Sequence, residues 1–255
     1  MTNLTDKYAL VTGGGRGIGR AIALRLAADG ATVVVNYRND GAAAEAVVEE
    51  ITRAGGRATA IQADVSDPVQ IAELFTQATK HAPLDIVCSN AGIEHFGPLS
   101  EITAEDFDRV FHTNTRGQLL VAQQAARVMG RGGSIVLTSS TSATTPIFQH
   151  TLYAASKAAV EAIVANLAIE LGQAGIRINA IAPGGTGTDM AAAVGDDYVH
   201  PAHRGKLSTE EFLAGFTAMQ RLADPNEIAA AVAFLASDDA SYVNGTTLHI
   251  DGGQL

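Results

Sequence analysis

Tyr8-Ala9-Leu10-Val11-Thr12-Gly13-Gly14-Gly15-Arg16-Gly17-Ile18-Gly19 is the stretch on which the fold turns. A short aliphatic run ends in a cluster of glycines, and a segment of helical period, Gly17–Ala28, follows at once. Glycines at such a junction permit a tight turn and let an anionic group approach backbone N–H groups at a helix N-terminus. A glycine-rich turn can serve any parallel fold, but placed after the first strand it reads as a pyrophosphate cradle. Its glycines at 13, 17 and 19 depart from the commoner G-x-G-x-x-G spacing.

Working outward, short aliphatic runs alternate with longer segments of helical period. The strand candidates are Tyr8–Thr12, Thr32–Asn36, Ala58–Gln62, Ile86–Ser89, Ser134–Thr138, Arg177–Ala182 and Thr247–Ile250. Between them lie helical patterns over Gly17–Ala28, Gly41–Ala54, Val69–Ala78, Ala104–Met129, Tyr153–Gln173 and Asn226–Ala236. The gaps between strands hold crossover helices, so the sheet is expected to be parallel, with helices on both faces. The expectation is an α/β fold: one Rossmann-type domain over 1–255, doubly wound on about seven strands. The stretch 189–216 breaks the rhythm as a long irregular connection, and such connections are usually lids or binding loops. It is expected to form a flexible flap over a pocket.

Composition narrows the function. In 255 residues, hydrophobic residues make up 47% and charged residues 17%, with no Trp, so the chain is globular with an aliphatic core. A net charge of −10 argues against a nucleic-acid partner, which needs a basic face. The N-terminus shows no apolar signal core, and no stretch reads as a membrane span, so a cytoplasmic location without membrane attachment is expected. Cys88, alone in the chain, sits in a strand candidate and reads as a small buried apolar residue.

The end of the second strand bears on the cofactor. An NAD site normally carries Asp or Glu there to bond the ribose 2′-hydroxyl. Here Asn36, Tyr37 and Arg38 follow one another without a carboxylate, and Arg38 and Arg16 each offer a guanidinium fork to a 2′-phosphate. NADPH/NADP+ is therefore expected over NADH, with a solvated loop residue as the lesser reading of Arg38.

The reacting centre is sought at Tyr153-Ala154-Ala155-Ser156-Lys157. Residues four apart share a helix face, and a nearby ammonium lowers a phenol's pKa from its usual value near 10. Tyr153 can then protonate a carbonyl oxygen as its carbon receives hydride. Ser140 closes a strand upstream of Tyr153, with Ser139 competing for its role. Asn90, Ala91 and Gly92 close the fourth strand at the edge where doubly wound folds bind ligands. Asn114 lies within a helical pattern, where asparagine is a weak former unless it has another task.

These residues together resemble the short-chain dehydrogenase/reductase family over essentially the whole chain. The marks are Thr-Gly-x-x-x-Gly-x-Gly at 12–19, Asn-Ala-Gly at 90–92, Asn114, Ser140, Tyr153-x-x-x-Lys157 and Pro183-Gly184. The resemblance implies Tyr153 as acid/base, Ser140 orienting the carbonyl, Lys157 on the nicotinamide ribose, and Asn114 anchoring a proton-relaying water. It further implies Asp64 and Val65 beside the adenine, Thr188 on the carboxamide, and cofactor contacts from Gly13, Arg16, Gly17, Ile18, Gly19, Asn36, Tyr37 and Arg38. In motif detail the chain is most similar to the polyhydroxynaphthalene reductase-like NADPH-dependent ketoreductases, through stretches such as Val35-Asn36-Tyr37, Phe107–Gln118 and Ala182–Gly185. The serine-to-tyrosine loop is slightly shorter and the flap slightly longer than in that group.

The reaction expected is NADPH-dependent reduction of an aromatic, polycyclic or cyclic ketone by hydride transfer. His150, Gly185, Met190 and Tyr198 join Ser140 and Tyr153 as candidate substrate contacts, with a water-exposed loop as the other reading for His150. Phe212, Phe216 and Met219 read mainly as packing. The alternatives are a 3-oxoacyl-carrier-protein reductase, which would want a basic pocket rim, and a non-catalytic NADPH sensor, which would not need all four catalytic positions filled. His200 and His203 read as part of a polar flap, with no metal site expected. The family resemblance also implies a homo-oligomer, a tetramer before a dimer, formed through the two long helices.

Overall fold

A computed structural model describes residues 2–254. Seven strands form one wholly parallel sheet in the order β3-β2-β1-β4-β5-β6-β7. They are β1 (Tyr8–Thr12), β2 (Thr32–Tyr37), β3 (Arg57–Gln62), β4 (Ile86–Ser89), β5 (Ser134–Thr138), β6 (Arg177–Pro183) and β7 (Thr247–Ile250). The sequence places every one of them to within a residue at each end.

The central strands carry aliphatic residues on both faces because both faces are covered. Ala9, Val11, Val33 and Val35 face the core shared with α1 (Gly17–Ala28), α2 (Gly41–Arg53) and α9 (Pro225–Ala236). Leu10 and Val34, one residue out of step, face the opposite core. That core includes α3 (Pro68–Ala78), α5 (Gln118–Val128) and α6 (Thr151–Ala174). This alternation follows from the two-residue period of a strand, and each fully buried Val, Leu or Ile contributes about 1.5–3 kcal/mol. Cys88 lies in the first of these cores, where burial pushes its thiol up to about 12, so it behaves as an apolar side chain.

Three expectations change. The pattern over Ala104–Met129 is not one uniform helix: α4 (Ala104–Phe111) passes into a π-helical stretch, His112–Gly117, before α5 begins. The wide π turn holds Asn114, which explains a weak helix former at that point; such bulges are frequent at functional sites. The connection 189–216 is not wholly irregular, since it contains α7 (Asp189–Val194) and α8 (Thr209–Ala214), capped by Thr188 and Ser208. And α6 is long and apolar enough to cross a membrane by length and composition alone. Its inner face packs through Val160, Val164 and Ala168 in the second core, whereas Ala155, Ala158, Ala162 and Ala165 are exposed.

Strand order reverses between β1 and β4, whose registers pair Val11 with Cys88 and Thr12 with Ser89. Beyond the carboxyl ends of these two strands, chain leaves the sheet in opposite directions and a crevice opens. The site is there.

Candidate active site

The crevice is a cavity of about 730 Å³ reaching from the glycine cradle to the flap, within the usual size of a small-molecule site. All but three of the predicted site residues line it. The exceptions, Gly19, Asn114 and His150, stand behind residues that do.

The cradle is built for close backbone approach. Gly13 and Gly17 have φ of +62° and +53°, a left-handed conformation that glycine adopts without strain. A Cβ at Gly19 would lie 2.2 Å from the Gly13 carbonyl oxygen and 2.5 Å from Asn90 Nδ2, so only hydrogen fits. Asn90 staples the turn to β4, its backbone N–H donating to Thr12 Oγ1 (3.0 Å) and its amide to the Thr12 and Gly13 carbonyls. Helices α2, α3, α4, α7, α8 and α9 begin with a side-chain cap, whereas α5 and α6 have none, and neither does α1, preceded by Arg16. Its free N–H groups at the cradle suit an anion.

One assignment needs correction. Asn36 borders the cavity, but its side chain is buried and already committed. Its amide donates to the Ile61 and Ala63 carbonyls (3.2 and 3.1 Å) and accepts from Gly13 N–H (3.4 Å). It ties β2, β3 and the cradle together rather than offering itself to a ligand. The exposed side chains at that end belong to Arg16, Arg38, Asn39 and Asp40; neither arginine is in an ion pair among the described residues, and Asp40 caps α2 by accepting from Ala43 N–H. Asp64 forms a turn through Ser66, whose N–H and hydroxyl both bond its Oδ1 (2.8 and 2.7 Å). Val65 lies beside Asp64 on the cavity wall.

At the other end β5 and α6 present the reacting groups. Lys157 is buried, and its Nζ donates to the Thr138 carbonyl (2.9 Å), 5.4 Å from the Tyr153 ring centre. Gln118 pins the same strand end, donating to Thr138 O and accepting from Thr138 N–H. Both competing serines border the cavity, but Ser139 turns its hydroxyl to Glu161 (2.9 Å), while that of Ser140 faces Tyr153. Asn114 clamps Ile93 from both sides, accepting from its N–H (2.8 Å) and donating to its carbonyl (2.9 Å), and reaches Ser156 Oγ (3.1 Å). Both donor hydrogens of its amide are therefore spent on protein, leaving only acceptor capacity for a water.

The expected tuning of Tyr153 differs. Burial, above all, holds its phenol well above the ordinary range, and the Glu94 carboxylate and Tyr198 push the same way, against the Ser140 hydroxyl. Lys157 is not among these influences; burial lowers its own ammonium to about 8, with Glu94 opposing that fall. Burial and an anion thus set the direction, and the cation that sequence spacing brought near does not.

Glu94 was missed in the sequence. Its position two residues past Asn-Ala-Gly, where β4 delivers chain to the crevice, was the available signal. It accepts from Tyr198 Oη (3.0 Å) and pairs with His150 Nε2 (2.7 Å). His150 is not exposed: it is buried at the start of α6, stacked between Phe96 (4.2 Å) and Tyr153 (4.5 Å). Phe212 and Phe216, read as packing, line the cavity along with Met190 and Tyr198, whereas Met219 is exposed and outside it. Gly184 sits where a Cβ would meet Asp251 Cα at 2.9 Å, and a Cβ at Gly185 would meet Leu222 at 2.9 Å. These contacts let the Pro183-Gly184-Gly185 turn lie flat on the cavity wall. Thr188 borders the cavity while capping α7 through Ala191 N–H (3.2 Å).

Comparison with known proteins extends this geometry. Residues 13–254 match the family model described as enoyl-(acyl carrier protein) reductase. The chain is 47% identical to the hydroxynaphthalene reductase-like protein Arp2 of Metarhizium robertsii, over 99% of this chain and 96% of that protein. It is also 47% identical to versicolorin reductase 1 of Aspergillus parasiticus, over 98% of this chain and 97% of that one. Among solved structures, a short chain dehydrogenase from Burkholderia cenocepacia in complex with NADP superposes with a TM-score of 0.89 at 42% identity, covering 98% of both chains.

Proposed function

Because the chain belongs to the short-chain dehydrogenase/reductase family, we propose that it reduces an aromatic, polycyclic or cyclic ketone to the alcohol with NADPH. The observation that carries this reading is one cavity joining an uncapped, glycine-lined helix N-terminus to Tyr153, Ser140 and Lys157. The names of its relatives, reductases of hydroxynaphthalenes and versicolorin, supply the substrate class.

NADPH, when bound, supplies the hydride. The residues present fit it: the cradle takes a pyrophosphate, Arg16 and Arg38 flank the place for a 2′-phosphate, and Asp64 and Val65 border the adenine end. At the reacting end Ser140 orients the carbonyl oxygen and Tyr153 donates it a proton. The upward push of burial on Tyr153 keeps it protonated, the form a proton donor needs, while making it a weaker acid. Lys157 holds the ribose, and Thr188 and the Pro183-Gly184 turn hold the carboxamide. Phe212, Phe216, Met190 and Tyr198 exclude water and shape the space for a flat ring.

The test is NADPH oxidation by purified protein on a panel holding an aromatic polyol quinone, a bicyclic aryl ketone, a cyclic ketone and a 3-oxoacyl thioester, with NADH in parallel. Turnover of ring ketones with NADPH supports the reading; turnover of the thioester alone replaces it with acyl-chain reduction. Arg38→Ala should weaken NADPH by about 10- to 100-fold and NADH by less than about twofold, as read by fluorescence titration, because a guanidinium–phosphate bond is charge-assisted. Equal losses would remove the 2′-phosphate role.

A pH dependence follows from Lys157. Its ammonium, lowered to about 8 by burial, is lost as pH rises through that value, so kcat/KM for NADPH should fall above about 8. In Lys157→Arg, whose guanidinium stays charged, any residual activity should lack that limb. A wild-type profile flat to high pH would refute the assignment. The same shift means the unfolded chain keeps the proton longer than the native one. The free protein should therefore gain stability as pH rises from about 8 toward the ordinary lysine value.

A cytoplasmic homotetramer completes the proposal. Assembly, as a tetramer or else a dimer, is supported by a set of apolar side chains exposed on the outer helices: Phe107 on α4, Leu119 on α5 and Ile169, 75% exposed, on α6. Sedimentation of the purified protein would test the assembly.

A further inference from the structure

We infer that Glu94 is a specificity-determining residue that accepts a hydrogen bond from a hydroxyl on the ketone's ring. The inference rests on the ketone-reducing reading of the cavity and goes beyond it by assigning recognition of a second substrate group to one carboxylate beside Tyr153.

Glu94 lies in the cavity wall with its side chain 12% exposed. One oxygen accepts from Tyr198 Oη at 3.0 Å and the other lies 2.7 Å from His150 Nε2. The donor on the histidine side is fixed by its surroundings. His150 Nδ1 is buried without a partner, so a hydrogen there would be stranded, and the Nε2–H tautomer donating to Glu94 leaves only a lone pair unmatched. The imidazole cannot turn away, being clamped face to face between Phe96 and Tyr153, with interplanar angles of 13° and 12°. The carboxylate is thus held rigidly by two protein donors and faces a third, the Tyr153 hydroxyl, while its two oxygens together offer about four acceptor sites. The remaining capacity belongs to whatever fills the cavity.

In the open cavity water can meet that need. A flat ring seated between the flap aromatics and Tyr153 expels the water, and a carboxylate short of donors in a dry pocket is strongly disfavoured. A hydroxyl on the ring restores the bond; an unsubstituted ketone does not. Sites that hydrogen-bond a substrate hydroxyl discriminate strongly against the analogue lacking it, because the buried acceptor is then left unpaired.

The experiment compares 1-tetralone with its ring-hydroxylated isomers, using NADPH and wild-type, E94Q and E94V protein, with NADPH titration of each as the check on folding. In the wild type at least one hydroxylated isomer should exceed the parent in kcat/KM by about 10- to 100-fold. That ratio should fall to about one in E94V, and to an intermediate value in E94Q, which keeps a neutral acceptor. A merely structural Glu94 would change both substrates together and leave the ratio standing. Equal wild-type rates on parent and isomers, or a preference that survives in E94V, overturn the inference while leaving ketone reduction intact. If E94V fails to bind NADPH, the ratio in E94Q decides alone: unchanged overturns, lowered supports. No turnover of any ketone by the wild type fails the ketone-reducing reading itself, and this inference with it.

Discussion

Tyr153→Phe should cost about 10²- to 10⁴-fold in kcat for ketone reduction while leaving the NADPH dissociation constant within about twofold. Only the hydroxyl is removed. The ring stays stacked on His150 at 4.5 Å, so the aromatic column from Phe96 to Tyr153 and the fold of α6 survive. The carbonyl oxygen loses its proton donor, and Ser140 alone cannot supply one at neutral pH. Single-turnover kinetics with NADPH preloaded would read the loss on chemistry rather than on binding. Retained turnover would remove Tyr153 as the acid and direct attention to Tyr198 and Lys157, which also carry protons at that end of the cavity.

Gly19→Ala should abolish measurable NADPH binding, a loss of about 100-fold or more, and should lower stability by about 1–3 kcal/mol. The added methyl would sit 2.2 Å from Gly13 O and 2.5 Å from Asn90 Nδ2, and neither partner is free to yield. Gly13 O belongs to the turn that forms the cradle, and Asn90 is stapled to Thr12. The helix must therefore back away from the strand, taking its N-terminal N–H groups with it. Gly55→Ala, where a Cβ meets nothing within 4 Å but φ is +87°, serves as a control for general backbone strain. Normal NADPH affinity in the Gly19 variant would show that the cradle tolerates a displaced helix.

What could be read in the sequence was whatever depends on short-range pattern. Strands buried on both faces appear as aliphatic runs, and the glycines at 13, 17 and 19 announce a turn that no other residue could make. Tyr153 and Lys157 were legible because helical spacing itself brings them to one face. Three features were not legible, each because it depends on a contact distant in sequence. Asn36 looked available at a strand end, and only the approach of β3 shows its amide consumed by Ile61 and Ala63. Glu94 looked like a loop carboxylate until His150 and Tyr198, far along the chain, converged on it. The direction in which Tyr153 is tuned depends on how much water the flap excludes and which charge stands nearer; spacing reports neither.

The separation of wall from floor in the cavity has an evolutionary consequence. Its floor comes from strand ends locked into the sheet: Asn90 is stapled to Thr12, and Thr138 is pinned by Gln118. Part of its wall comes from α7, α8 and the chain between them, which contribute no strand to the sheet. Mutations in that segment can therefore be sampled by a lineage without touching the hydride-transfer apparatus, so new substrates can be acquired one loop change at a time. For the engineer this marks 189–216 as the region to randomise and β1, β4 and β5 as the region to leave alone.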